Sequence, residues 1–324
     1  MISSKSALAR QTSGLSVEQR ELADDFIRCC RDLSQTMPAR WLYDHRGSEL
    51  FEQITELPEY YPTRTELGLL RDAGPKLHQA IGEGRMLVEF GAGSAHKTPA
   101  LIEAIRPTKY VPIDVSGDFL RESSVELAKI FPTLDIEPIE ADFNRAVPLP
   151  RCERRLPIIG FFAGSTIGNL TPFEATNLLR RMGETLGDDA LLLIGMDRVK
   201  SLDVLLPAYD DAQGITAAFN LNLLHRVNAE LGCAIPVDAF AHEARWHPSR
   251  TRIEMHLVAR RNVEFVIGDE LVTLEAGQSV HTENSHKYRF EEARMLLRCG
   301  GWEPLDAWSA PDDFFTLFLA RRDF

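Results

Sequence analysis

Between residues 86 and 197 short, nearly all-apolar runs alternate with stretches of helical periodicity. No other feature constrains the fold as much. The apolar runs are MLVEF at 86–90, YVPID at 110–114, a segment within DIEPIEADF at 135–143, LPIIGFFAGS at 156–165 and DALLLIGMD at 189–197. Helices are expected over 97–106, 116–130 and 171–186, the last with a Thr cap and a proline in its first turn, where no N–H is needed. A strand with one wet face alternates in polarity, and these runs do not. They belong in a parallel sheet with helices on both sides. The expected fold class is therefore α/β, with a doubly wound, Rossmann-like sheet.

The rhythm changes after Asp197. A long helical region at 201–231 leads into an alternating stretch at 251–290, with Gly-containing turns at 268 and 277, which reads as an antiparallel meander. A helix over 290–302 and a last strand over 313–322 return to the first pattern. Upstream, SVEQ is a capping box for a helix from Ser16 to about Gln35. Pro58 and Pro62 are expected to stop the helix of 47–62, leaving Tyr60 and Tyr61 on a non-helical segment, and a helix over 63–81 is disturbed at Pro75. The simplest account is an α+β insertion that packs with the N-terminal 60 residues. The expected domains are 62–199 plus 287–324, and 15–61 plus 200–286.

Composition excludes several function classes. The formal charge is −12, from 36 Lys and Arg against 48 Asp and Glu, which argues against nucleic acid or an anionic membrane as partner. No run of 18 apolar residues exists, so no membrane span is expected. The opening MISSKSALARQTSGLS has no apolar core, so no signal peptide is expected. Cys29, Cys30, Cys152, Cys233 and Cys299 are scattered, odd in number and without C-x-x-C spacing, as free thiols in a reducing compartment would be. A cytoplasmic monomer is expected.

The turn GAGSAHKT at 91–98 follows the first strand. It departs from a phosphate-binding P-loop and from G-x-G-x-x-G at one position, where His96 stands in place of glycine. Open α/β sheets bind ligands at the carboxyl ends of their strands. The residues there are Glu89 with Gly91 and Gly93, then Asp114, 21 residues beyond Gly93, then Asp142 with Phe143, then Gly164 to Asn169. An acid at the second strand suits two ribose hydroxyls, and an acid beside an aromatic suits the edge and face of an adenine. No basic clamp for a triphosphate accompanies them.

This ordered set resembles class I S-adenosylmethionine-dependent methyltransferases. Longer strings carry a closer resemblance over nearly the whole chain. They are WLYDHRGSELFEQITELPEYYPTRTE (41–66), GSTIGNLTP (164–172), AYDDAQGITAAFN (208–220), RIEMHL (252–257) and TENSHKY (282–288). Together they resemble the histidine-specific Nα-methyltransferases of ergothioneine biosynthesis. The resemblance implies a class I methyltransferase sheet with an inserted substrate-binding domain. It implies S-adenosylmethionine as cofactor, L-histidine as substrate and the trimethylated betaine hercynine as product. Glu89, Gly91, Gly93, Lys97, Asp114, Asp142 and Phe143 would hold the cofactor. Tyr60, Asn169 and Tyr209 would hold the amino-acid backbone, with Asn169 and Tyr60 as the catalytic pair. Glu283 and Ser285 would hold the imidazole, Tyr43, Phe51, Phe219 and Met255 would line the pocket, and Gly164 and Asn284 complete the substrate set.

Methyl transfer needs little acid–base machinery, because the sulfonium is already activated and the enzyme mainly aligns a nucleophile. Glu283 and Ser285 stand two apart on a strand and so share a face. His281 and His286 flank Glu283 with no third ligand at metal spacing, so no metal is expected. His96, Arg260 and Arg261 read as solvated. Three alternatives stay open: another aromatic acceptor such as tryptophan, a non-catalytic S-adenosylmethionine-binding protein, and a P-loop phosphotransferase.

Overall fold

The computed structural model describes residues 15–93, 95–150 and 156–323. The opening residues 1–14 and Cys152 lie outside them, as do the expectations that rest on them. The described strands are β1 Met86–Phe90, β2 Lys109–Asp114, β3 Asp135–Ile136, β4 Ile139–Glu140, β5 Ile158–Phe162, β6 Leu191–Asp197, β7 Phe240–His247, β8 Arg252–Ala259, β9 Val263–Ile267, β10 Glu270–Leu274, β11 Ser279–His286, β12 Trp302–Ser309 and β13 Phe315–Arg322. The chain divides into two compact units. One comprises 60–201, 248–252 and 285–323; the other comprises 15–59, 202–247 and 253–284.

The first unit is built on one sheet in the order β12-β13-β6-β5-β1-β2-β3, with β4 paired to β2. β1, β2, β5 and β6 run parallel, and β13 enters antiparallel to both β6 and β12. The all-apolar strands explain this arrangement directly. Met86, Val88 and Phe90 of β1 pack into one core with Leu192, Ile194 and Met196 of β6, while Leu87, Leu191 and Leu193 pack into a second core on the opposite face. Each such leucine removed from water contributes roughly 1.5–3 kcal/mol. Helix Pro172–Leu186 covers the first face, with Leu178, Leu179 and Met182 buried. Its start is a capping box between Thr171 and Glu174.

One helix boundary here differs from expectation. Pro62 does not stop a helix; it lies in the first turn of Tyr61–Asp72, where the proline ring is pre-set for helix and its missing N–H is not needed. Tyr60 is the residue before that helix, and Tyr61 is its first residue. The break near Pro75 does occur, between Tyr61–Asp72 and Gly74–Ile81. The strand expected within 135–143 is split into β3 and β4, and β12 occupies 302–309, where no strand is expected from the sequence.

In the second unit, the expected helical region at 201–231 is two helices, Leu202–Tyr209 and Ile215–Leu231. Asp211 is the cause. Its carboxylate accepts the backbone N–H groups of Ile215 and Thr216 at 3.1 and 2.7 Å and starts the second helix afresh. The expected meander is also corrected. β8 pairs with β11 and β7, in the order β11-β8-β7, while β9 and β10 form a separate antiparallel pair. The N-terminal helix is Val17–Arg31, with Ser16 and Gln19 forming the expected capping box. It ends before Gln35 because Asp32 draws the Ser34 amide and side chains of Ser34 and Gln35 into a turn.

Candidate active site

The residues singled out by the sequence fall into two groups, one in each unit. In the sheet unit they sit at the carboxyl ends of β1, β2, β4 and β5. Gly91 and Gly93 take positive φ of 70° and 52°, which only glycine adopts without strain. The Gly91 and Ala92 amides donate to the Ile113 carbonyl at 2.8 and 3.2 Å. Asp114 accepts the Gly93 amide on Oδ2 at 3.0 Å and the Ser116 amide on Oδ1 at 2.9 Å. A Cβ at Gly91 would lie 3.3 Å from Phe143 Cε1, so a side chain there would press on the aromatic face. Phe143 is held edge-on by Phe162 at 5.7 Å, and Asp142 starts a turn by accepting from Asn144 at 2.9 Å. A small-residue cradle, a partly exposed carboxylate and a braced aromatic ring therefore share one edge of the sheet, and they fit a nucleoside.

Glu89 is buried beneath the turn, where it accepts from Thr98 Oγ1 at 2.8 Å and Tyr110 Oη at 2.7 Å. Burial pushes its carboxyl up to about 7, against those two hydrogen bonds and the nearby Lys97. Lys97 is drawn to a partner that sequence reasoning missed. Glu66 Oε2 accepts from Lys97 Nζ at 2.7 Å and from the Gly164 amide at 2.8 Å. Glu66 is fully buried, and its Oε1 has no hydrogen-bond partner. Its position at the end of LPEYYPTRTE is the signal that marks it. His96 is exposed, as are Arg260 and Arg261.

Beyond β5 the chain turns through Ser165, at φ 57°, into a short 3-10 turn, Thr166–Asn169. Gly168 leaves no room for a side chain, because the His286 backbone lies 2.9 Å from where Cβ would be. Gly168, the residue before Asn169, thus lies against the end of β11. Ser165 Oγ accepts the amide of Asp197, the last residue of β6. Asp197 is fully buried and anchors a cluster. It accepts from Tyr61 Oη at 2.6 Å, pairs with Lys287 Nζ at 2.7 Å and pairs with Lys200. Burial works to raise its carboxyl, and the ammonium groups of Lys287 and Lys200 overcome that, holding it below the usual range. Burial pulls Lys200 down to about 8. Lys287 also donates to Ser285 Oγ at 2.7 Å.

The second unit holds Tyr43, Phe51, Tyr209, Phe219, Met255, Glu283 and Asn284, whereas Tyr60 belongs to the sheet unit. Tyr43, Phe51 and Phe219 form an aromatic trio, with centroids 5.5 Å apart for Tyr43–Phe51 and for Tyr43–Phe219, and 6.1 Å for Phe51–Phe219. The Tyr209 carbonyl accepts from His242 at 2.8 Å, and Met255 is buried with its carbonyl accepting from Thr282 at 2.9 Å. Glu283 and Asn284 are buried on β11, and Asn284 Oδ1 has no hydrogen-bond partner.

The expectation of no metal rests on His281 and His286 beside Glu283, and the structure brings His281 together with Glu254 and His256. Glu254, His256 and His281 bring ligand atoms within 4.8 Å of one another. Sequence spacing could not reveal this, because the third member comes from a neighbouring strand. The trio is organised by its own hydrogen bonds. His256 reaches Glu254 at 3.2 Å and Ser279 at 3.1 Å, and His281 reaches Thr36 at 2.9 Å and the Glu283 carbonyl at 3.1 Å. The two rings stack at 4.7 Å and 16°, whereas a shared ion must lie in the plane of both rings.

Read as positions within the sheet, the strand order is 3-2-1-4-5-7-6 with the seventh strand antiparallel, and its carboxyl edge carries the glycine turn with Asp114, Asp142 and Phe143. Fold and site together define a class I S-adenosylmethionine-dependent methyltransferase. A family described as "Histidine-specific methyltransferase, SAM-dependent" matches residues 22–322, and the chain belongs to that family. It is 40% identical over 295 residues to the histidine N-alpha-methyltransferase of Mycolicibacterium smegmatis, covering 89% of this chain and 91% of that one. It is 26% identical to ergothioneine biosynthesis protein 1 of Neurospora crassa, over 90% of this chain and 34% of that one. A solved S-adenosylmethionine-dependent methyltransferase of Clostridium acetobutylicum aligns at TM-score 0.46 with 10% identity, over 86% of this chain and 97% of that one. No helix of the described residues is long and apolar enough to cross a membrane.

Proposed function

We propose that this enzyme methylates the α-amino nitrogen of free L-histidine three times, giving hercynine, within ergothioneine biosynthesis. The observation that carries this reading is the pair Glu283 and Ser285, both buried and on one face of β11, in a chain of the histidine-specific family. A carboxylate and a hydroxyl at fixed separation match a ring with one N–H and one lone pair. Four free cysteines among the described residues support a reducing, cytoplasmic setting.

In this reading the sheet unit binds the cofactor. When bound, S-adenosylmethionine supplies a methyl group already activated on sulfonium. Asp114 accepts from the ribose hydroxyls, Asp142 and Phe143 take the adenine edge and face, and Lys97, steadied by Glu66, holds the amino-acid end. The acceptor amine must shed a proton before it can attack. Asn169 and Tyr60 hold that amine in line, Tyr209 and Gly164 complete the backbone contacts, and Tyr43, Phe51, Phe219 and Met255 exclude water. Glu283 accepts the imidazole N–H, with Ser285 at the other nitrogen and Asn284 beside them. Each of the first two transfers releases S-adenosylhomocysteine and gives an ammonium that must shed a proton to become nucleophilic again, and the third gives a fixed cation. The test is methyl transfer from labelled S-adenosylmethionine to a panel of free amino acids. Histidine should be the preferred acceptor, and equal use of tryptophan or phenylalanine would refute the reading.

A further inference from the structure

The proposed ring contact Ser285 is not isolated. Lys287, two residues further on, is fully buried and places its ammonium 2.7 Å from Ser285 Oγ and 2.7 Å from Asp197 Oδ2. An ammonium has three N–H donors and no lone pair. Ser285 must therefore accept from Lys287, and its own hydroxyl proton points elsewhere. The ammonium is not free to shift. Asp197 holds it from the end of β6 and is itself fixed by Tyr61 Oη at 2.6 Å, by Lys200, and through its backbone amide by Ser165. A hydroxyl that accepts from a cation is polarised into a stronger donor.

We infer that Lys287 is a positioning residue that turns Ser285 into a hydrogen-bond donor aimed at the lone-pair nitrogen of the acceptor ring. This rests on the reading that Ser285 contacts the imidazole. Glu283 then takes the N–H, and the pair reads one donor and one acceptor around the ring. An indole or phenyl ring offers no lone pair for Ser285, so Lys287 contributes to the choice of acceptor without touching it.

The experiment is a double-mutant cycle on the full chain saturated with S-adenosylhomocysteine. Histidine affinity is measured by calorimetry in wild type, Ser285→Ala, Lys287→Met and the double variant. β-(2-Thienyl)alanine, whose ring has no nitrogen, is the control ligand, and S-adenosylhomocysteine affinity is measured in each protein. Each single change should weaken histidine about tenfold, the scale of one lost hydrogen bond. The double variant should be within about twofold of Ser285→Ala, because two residues acting through one contact are not additive. Thienylalanine and S-adenosylhomocysteine should be unaffected. Lys287→Gln keeps an N–H donor without the charge and should lose less than Lys287→Met, again only for histidine; it also serves if Lys287→Met does not fold. Additive losses, or equal losses for thienylalanine, would overturn the role of Lys287 while leaving the Ser285 contact standing. Unchanged histidine affinity in Ser285→Ala would overturn the Ser285 contact itself.

Discussion

The backbone N–H of Gly93 donates to Asp114 Oδ2 at 3.0 Å, so the turn after β1 and the acid ending β2 are one unit of structure. The other carboxylate oxygen accepts the Ser116 amide at 2.9 Å, which ties in the start of the helix Gly117–Ile130 as well. Each carboxylate oxygen has a second lone pair, so capacity for two hydroxyls remains. The acid therefore shapes the turn and keeps lone pairs for a ligand at once.

Asp114→Ala should weaken S-adenosylmethionine binding by about 1.5–3 kcal/mol, the scale for hydrogen bonds to a charged group. Asp114→Asn should not be a mild change. Both oxygens accept backbone N–H groups, and an amide would aim its own N–H at one of them. Calorimetry on folded variants checks both, and unchanged affinity in Asp114→Ala removes it from the ribose role.

Glu66 links Lys97 to the Gly164 amide through a single oxygen. In Glu66→Gln that oxygen is retained, but the NH2 must occupy the buried Oε1 position, which lies 2.1 Å from where a Gly195 Cβ would be and has no hydrogen-bond partner. We expect cofactor affinity to fall about tenfold and stability to drop by about 1–3 kcal/mol, the cost of an unpaired buried donor. Titration with S-adenosylhomocysteine and chemical denaturation read the two effects separately. Wild-type affinity in the variant would show that Lys97 does not depend on Glu66.

Glu89 predicts a pH effect of definite sign. Its carboxyl is raised from 4.5 to about 7 in the folded state, so the fold binds its proton more tightly than the unfolded chain does. That contribution is complete below pH 4.5 and is lost as pH rises through about 7. The loss is at most about 3 kcal/mol by pH 8. Glu89→Gln keeps an acceptor for Thr98 and Tyr110 and removes the titration. Urea unfolding at pH 5 and pH 8 should show wild type losing more stability than Glu89→Gln over that range. Parallel behaviour would place the Glu89 carboxyl near its ordinary value.

The parallel strands were legible because burial on both faces writes itself as unbroken apolar runs. Leu87 and Val88 face opposite cores and are both fully buried. β7 and β12 were not legible for the converse reason. FAHEARWH and WEPLDAWS mix charge and aromatics without period, and their pairing with β8 and β13 is decided by partners distant in sequence. Strand-end acids at Asp114 and Asp142 could be found by position, whereas the Glu66–Lys97 pair and the Asp197–Lys287 pair join residues 31 and 90 apart and exist only once the sheet forms. The same holds for Glu254, His256 and His281, which no linear spacing brings together.

Acceptor choice should rest on Glu283. An indole or phenyl ring does not present the N–H and the lone-pair nitrogen of an imidazole at the same two places, a mismatch of about 2–4 kcal/mol that gives roughly 10²- to 10³-fold discrimination. Glu283→Ala removes both the attraction to histidine and the penalty against apolar rings. Its kcat/KM for histidine should fall steeply, with tryptophan unchanged or improved and cofactor affinity retained. Equal losses for both acceptors would take Glu283 out of the ring-reading role.

The most direct test of the account is mass spectrometry of the product formed from free L-histidine and excess S-adenosylmethionine by the purified chain, with fragmentation to locate the methyl groups. The account predicts that three methyl groups accumulate on the α-nitrogen, with the imidazole unmodified. A product that stops at one methyl group, or that carries methyl on the ring, would contradict it.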